Sequence, residues 1–324
     1  MHKTKGCKNI IDETGASALI TALVLTIVLT AAAMTVDIGS AYIDSSEAQN
    51  SADAIALSVG RHLPVKDSDE IKKSSIISEA MGYAQKNGIC DKKKVNIEFC
   101  GLKDGKYKAL NVKVKKTYIT KLAGIIGVDS IEVEKSATVS AKPAGKFSGA
   151  IPIGITEETY DYAIRTGNTE HVVLKVGGGD GSNGFYGFVV LDDSSGNANI
   201  LEKWMKYGYE GENYVGQQLP VATGNKTSVA MNGVEYRLSL CDHFIGYGGC
   251  NTEHYNQNCG RIVCVLVYRF IDDRVVEVVG FTPFLLEQSE QQDEIQGSFI
   301  DINISYSDSV SDKDFGTYTY RLTE

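Results

Sequence analysis

The chain has 324 residues, 43% of them hydrophobic and 23% charged, with 5 prolines. That balance excludes a long disordered or low-complexity region and, at ~150 residues per domain, leaves room for about two folded domains. The net charge of −9 is unevenly spread: residues 1–60 carry 3 Lys against 6 acidic residues, residues 61–146 carry 18 Lys and Arg against 10, and residues 147–324 carry 11 against 25.

Residues 1–13 hold Lys3, Lys5 and Lys8, partly offset by Asp12 and Glu13. Then come 23 uncharged residues, Thr14 to Val36, rich in Leu, Ile, Val, Ala and Thr. As a helix they span roughly 33 Å, enough for a ~30 Å hydrocarbon core. Such a helix satisfies its own backbone, and its Thr hydroxyls can bond back to carbonyls one turn earlier. The Ala-rich "LTAAAMTV" keeps signal-peptide cleavage open as an alternative. Three Lys precede the span, and no Lys or Arg follows it before Arg61. The positive-inside rule therefore predicts a cytoplasmic N-terminus and an extracellular bulk on a single-pass cell-membrane protein.

Residues 36–60 contain no helix breaker except Gly39. Apolar or small residues recur at Met34, Ile38, Ala41, Ser45, Ala48, Ala52, Ile55 and Val59, spaced alternately by four and three. This is the seam of a packed helix. Span and polar stretch are thus predicted as one helix of about 45 residues, ~68 Å long. Ile38, Ala41, Ser45, Ala48, Ala52 and Ile55 form its packing interface. The cover is the protein's own domain, a second copy or another subunit.

This region, "AMTVDIGSAYIDSSEAQNSADAIALSVG", resembles the N-terminal module of TadG-like proteins of the Tad (tight adherence, Flp pilus) system. Val36, Asp37, Gly39, Tyr42, Gln49, Asn50, Ala52, Asp53 and Ala54 follow that pattern; Ser51 and Ile55 depart from it. The resemblance covers about residues 13–60. It implies a non-enzymatic role in assembling or anchoring a Tad/Flp-type (type IVb) pilus. Its implied partners are the lipid bilayer and other pilus proteins or pilin-like subunits, with Asp37, Gly39, Tyr42, Gln49, Asn50 and Asp53 as motif positions. Prepilins carry Glu at the fifth mature position. Counting from a cut after Gly15, that position here is Ile20, so prepilin-type processing is not expected.

Residues 61–146 read as a small basic α+β module. An amphipathic helix is predicted over 68–87, with apolar spacing at Ile71, Ile76, Ala80 and Ala84. "VNIEFC" and "ALNVKVKKTY" alternate as strands, "ITKLAGIIG" is a short helix, and "SIEVEKSATVSA" alternates again. The layout resembles a pilin-like head. The basic patch at Lys92, Lys93 and Lys94 suits an anionic wall polymer or headgroups on a tethered outer domain, not nucleic acid.

Residues 147–324 read as an acidic, mainly-β domain of sandwich or barrel type. The predicted strands are "GAIPIGI", "HVVLKVG", "GFYGFVVLD", "YRLSL", "RIVCVLVYRFI", "RVVEVVGFTPFLLE" and "GSFIDINISYS"; "ILEKWMKYGYEG" is a helix holding Trp204. "AIPIGI", "YGFVVLD" and "VVGFTPFLLE" resemble the C-terminal region of TadG-like proteins of Gram-positive bacteria. The fold class expected for the whole is α+β. A membrane-anchored adhesin, binding through the β-domain, is the alternative function.

Cys7 stands alone before the span; Cys90, Cys100, Cys241, Cys250, Cys259 and Cys264 follow it. An even number in an oxidising space predicts disulfides. "CDHFIGYGGCNTEHYNQNCGRIVC" has no Cys-x-x-Cys pair, so two disulfides are the simpler reading there. Zinc and free thiols are the alternatives, and no metal or cofactor is assigned. "GGGDGSNG" at 177–184 reads as a surface turn, since it lacks the P-loop ending. No Gly-x-Ser-x-Gly occurs and the histidines are scattered, so no catalytic residue and no small-molecule substrate is predicted.

Overall fold

The computed structural model describes residues 14–175, 188–192, 194, 196–222, 226–289, 294–303 and 309–323. Lys3, Lys5, Lys8, Cys7 and the 177–184 turn lie outside the described residues. In chain order the first elements are α1 (Thr14–Gly60), β1 (Val65–Lys66), α2 (Glu70–Lys86), β2 (Val95–Lys103), β3 (Lys106–Ile119), β4 (Ser130–Pro143) and β5 (Lys146–Ser148). Then come β6 (Gly154–Thr156), α3 (Glu157–Thr166), β7 (Val172–Lys175), β8 (Phe188–Val189), α4 (Ala198–Tyr207), β9 (Glu212–Tyr214), β10 (Gln218–Ala222) and α5 (Thr227–Ser239). The chain closes with β11 (Ile262–Asp272), β12 (Val275–Glu287), β13 (Glu294–Phe299), β14 (Ile302–Asn303) and β15 (Thr317–Thr323). The fold is mixed α+β, with a long apolar N-terminal helix and a mainly-β C-terminal region.

α1 runs unbroken for 47 residues, about 70 Å at the standard rise. Within it the hydroxyls of Thr21, Thr26, Thr30 and Thr35 donate to the carbonyls of Ser17, Ala22, Thr26 and Ala31 at 2.7–2.9 Å. Its N-terminal part is long and apolar enough to cross a membrane, and none of that stretch is buried in the protein. α2 is capped by Asp69, whose Oδ1 accepts from Lys72 N at 2.9 Å. It buries Ile76, Ala80 and Ala84. Ile71 instead faces outward, 86% exposed, because five residues of helix turn it well off the face of Ile76.

Two compact units share the chain. One comprises residues 14–55, 80–98 and 111–137; the other comprises 56–79, 99–110 and 138–323. In the first, Ala48, Ala52 and Ile55 of α1, Ala80 and Ala84 of α2, and Val112, Val114 and Tyr118 of β3 are buried.

In the second unit, β15 runs antiparallel to β4, from Tyr318 opposite Pro143 to Thr323 opposite Thr138. The main core lies around a seven-stranded sheet ordered β6-β11-β12-β10-β8, with β13 on β12 and β7 on β13. β12 is its spine: one half pairs with β10, the other with β13, and β11 lines its length. Three helices accompany this sheet, where a sandwich or barrel was expected. α3 starts on Thr156, whose hydroxyl accepts from Thr159 N, and carries Glu157 and Glu158 in its first turn.

"YRLSL" is not a strand: it closes α5, which buries Val229, Ala230, Gly233, Val234 and Arg237 at helical spacing. The Arg237 Nε donates to Met205 O at 2.6 Å. That bond turns a charge in an apparent strand alternation into a helix-to-helix tie. Ion pairs Lys106–Asp301 and Lys108–Asp314 join residues from the basic and acidic segments of the sequence. Desolvation opposes the Asp314 charge, but Lys108, Gly316 N–H and the Tyr318 hydroxyl outweigh it and lower its pKa.

Phe284 is fully buried and meets Phe299 edge-on at 5.5 Å. Gly297 leaves it room, since a Cβ there would stand 2.5 Å from the Phe284 ring and 2.3 Å from Leu285 O. Phe284→Ala should cost about 3–5 kcal/mol. Gly297→Ala should also destabilise, through overpacking. Thermal or urea unfolding of the detergent-solubilised chain measures both, and wild-type midpoints would contradict this core.

Candidate functional site

The site is built on the outer half of α1. Asp37 is the first charged residue after the apolar span and is only 2% exposed. Its Oδ1 accepts from Lys121 N at 2.9 Å and from the Tyr118 hydroxyl at 3.0 Å. Its Oδ2 accepts from Leu122 N at 3.0 Å and Ala123 N at 2.6 Å. These donors sit at the end of β3 and the start of a 3₁₀ turn, Ala123–Ile126. That turn has no side-chain cap of its own, Leu122 occupying the cap position. Asp37 supplies the missing acceptor from 84 residues away in sequence. The Lys121 N–H, helped by those of Ala123 and Leu122 and by Tyr118, outweighs the opposing effect of burial and holds the Asp37 carboxyl at about 2.

Nearly three turns further along α1, Lys116 Nζ meets Glu47 Oε2 at 2.6 Å. Gln49 Nε2 donates to Asp53 Oδ1 at 2.9 Å and to Ser136 O at 3.2 Å. Of the expected interface, Ala48, Ala52 and Ile55 are buried, Ala41 and Ser45 are half-buried, and Ile38 is 61% exposed. Asp37 takes the inward position at that level. Of the motif positions, Asp37, Gln49 and Asp53 are engaged inside the protein. Tyr42 is 75% exposed, Asn50 is exposed, and a Cβ on Gly39 would meet nothing within 4 Å. Val36, Ile38, Tyr42 and Ile43 together carry the exposed apolar surface past the end of the uncharged span.

The partners of Asp37 were not foreseen. The available signal was "TKLAG", a turn start with no Ser, Thr, Asp or Asn at its cap.

The six cysteines after the span are present as free thiols. Cys90 is exposed and Cys100 half-buried. Cys264 is buried in the main core. Cys241, Cys250 and Cys259 come together with His243, one ligand atom from each lying within 4.8 Å of every other.

A depressed carboxylate pKa adds stability that is present above the ordinary value of 3.8 and is lost as pH falls through about 2. The melting temperature of the detergent-solubilised protein should therefore exceed that of Asp37→Asn by a constant margin above pH 4. That margin should shrink between pH 4 and 2. At neutral pH, Asp37→Ala should open the Lys121–Leu122 bond to trypsin. Equal melting at all pH values would remove Asp37 from this role.

No curated protein and no solved structure matches the chain. The helix that carries this site does match a family: residues 15–62 fit the Tad family model, "Putative Flp pilus-assembly TadE/G-like".

Proposed function

We propose that the chain is a non-enzymatic, single-pass envelope protein serving the assembly or anchoring of a Tad/Flp-type pilus. The observation that carries this reading is the coincidence of the family match with the apolar span and the outer half of α1. Residues 14–36 lie in the bilayer, with 1–13 cytoplasmic. Residues 37–60 continue the helix outside, and the 61–146 and 147–324 segments stand in the extracellular space. The uncovered surface around Gly39 and Tyr42 supports helix packing against another pilus protein at the membrane boundary, where small residues allow close approach.

A clean deletion should abolish piliation. Normal pili with lost surface attachment would move the function to the adhesin reading, through the β-rich region. Protease added to intact cells should digest residues beyond 60 and spare the span.

Gly39→Leu separates folding from assembly. A mid-helix Gly costs about 0.5–1 kcal/mol relative to Ala, and among the described residues nothing lies within 4 Å of a Cβ placed there. The variant should accumulate in membranes at or above the wild-type level and melt no lower, yet lose pili and co-purification with pilus components. Full piliation by Gly39→Leu would rule out close packing at that face.

A further inference from the structure

The segment between α5 and β11, residues 240–261, is long for an irregular connection in a folded domain. Its regular structure is a single 3₁₀ turn, Ile245–Tyr247. Irregular segments beyond about 12–15 residues need a reason to stay ordered. This one is ordered locally by Asn251 Oδ1, which accepts from Glu253 N at 3.0 Å and His254 N at 2.8 Å, and by Asn256 Oδ1, which accepts from Asn258 N at 2.8 Å. Its own small core is Cys250 and Cys259 against Leu285 and Ile300, with Cys241 and Tyr255 packed beside them. Thiols thus stand where a loop would ordinarily bury Leu or Val.

We infer that Cys241, His243, Cys250 and Cys259 form a structural zinc site that staples this segment. Three thiolates and one imidazole are a complete tetrahedral donor set, with Zn–S about 2.3 Å and Zn–N about 2.0–2.1 Å. In such a tetrahedron the donors stand roughly 3.4–3.8 Å apart. Here all four donors already lie within 4.8 Å of one another, so closing on an ion takes shifts of an ångström or less. Cys250 and Cys259 are buried, at 2% and 3% exposure, which shields the site from water.

Two further features point to a cation. The His243 Nδ1 is buried with no hydrogen-bond partner; Asp242 Oδ1, 3.5 Å away, makes no hydrogen bond to it. A buried imidazole nitrogen left unmet is a penalty that a metal or second-shell partner removes. Backbone groups of Cys250 and His243 lie against Cys241 Sγ, whose S–H donates to His243 O at 3.9 Å, and the backbone of Arg261 lies against Cys259 Sγ. Gly249, at φ +96°, lets the backbone pass close by: a Cβ there would stand 3.5 Å from Cys241 Sγ and 2.7 Å from Arg261 Nη1. The Arg261 guanidinium is thus near the net −1 charge of Zn²⁺ with three thiolates.

A disulfide accounts for the cluster less well. It would join two of the three sulfurs and leave a buried thiol beside an unmet imidazole. Cys264, the fourth cysteine of the segment, sits in the main core instead. Loading the site releases the three thiol protons, so binding should weaken as pH falls.

The full chain, purified in detergent under a phosphine reductant and incubated with zinc chloride, should retain one zinc per chain after gel filtration. Cobalt should give the visible bands of tetrahedral thiolate coordination. His243→Ala and Cys259→Ser should each lose the metal, and Cys264→Ser should keep it. Because a ligand variant can fail to fold, His243→Cys is the second probe: it should still bind cobalt, with a stronger sulfur-to-cobalt charge-transfer band. Failure of the wild-type chain to retain zinc would overturn the site. So would an unchanged cobalt spectrum in His243→Cys, or a disulfide among Cys241, Cys250 and Cys259 in protein alkylated directly from membranes.

Discussion

One buried carboxylate fixes the start of the outer half of α1, ahead of the Glu47–Lys116 and Gln49–Ser136 contacts and the buried Ala48, Ala52 and Ile55. Asp37 stands at the first position after 23 uncharged residues, yet it is buried. A carboxylate at the edge of an apolar span is normally solvated or snorkels toward headgroups. Here its two oxygens take three successive backbone N–H groups and a phenol. The cost of desolvating the charge is met by charge-assisted hydrogen bonds, roughly twice as strong as neutral ones. The same bonds satisfy a turn that would otherwise leave its first amides unpaired. Helix exit and β3–β4 connection are therefore held at one point, and a change at either end is felt at both.

Helical continuity was legible in the sequence because it depends on local facts: no proline, a single glycine away from the helix ends, and Thr hydroxyls that find carbonyls within the helix. The inward face was legible where small residues recur at Ala48 and Ala52. At its start the group turned into the chain's own unit is Asp37, while Ile38 stays exposed. No periodicity reports an acceptor whose donors lie 84 residues on. "YRLSL" failed for a related reason. Over five residues an alternation cannot be told from a helix end, and the deciding tie, Arg237 to Met205 O, is again tertiary. The thiols show the same limit. Spacing supplied no Cys-x-x-Cys, and only the loop's path brings Cys241, His243, Cys250 and Cys259 together.

The charge asymmetry along the chain has a partial structural expression. Lys106 and Lys108, from the basic segment, meet Asp301 and Asp314, from the acidic end. Asp314 also accepts from Tyr318 and from Gly316 N–H, so this pair is part of a network and not an isolated surface bridge. Exposed pairs such as Lys115 with Glu132 and Glu134 contribute little by comparison. The remaining acidic surface is solvated charge.

The motif positions divide between two tasks, and the division bears on function. Asp37, Gln49 and Asp53 are spent on internal bonds, so a fold requirement alone accounts for them. Gly39, Tyr42 and Asn50 are not: Tyr42 and Asn50 are exposed, and no described residue lies within 4 Å of a Cβ placed on Gly39. A monomer gains nothing from a helix-weakening glycine or an exposed tyrosine ring at that level. What does use a glycine beside an aromatic at the end of a span is a second helix, close enough to touch the backbone and fixed in height by an interfacial ring. On the proposed reading, the internal residues hold α1 in place and the external ones are left for a second helix to meet.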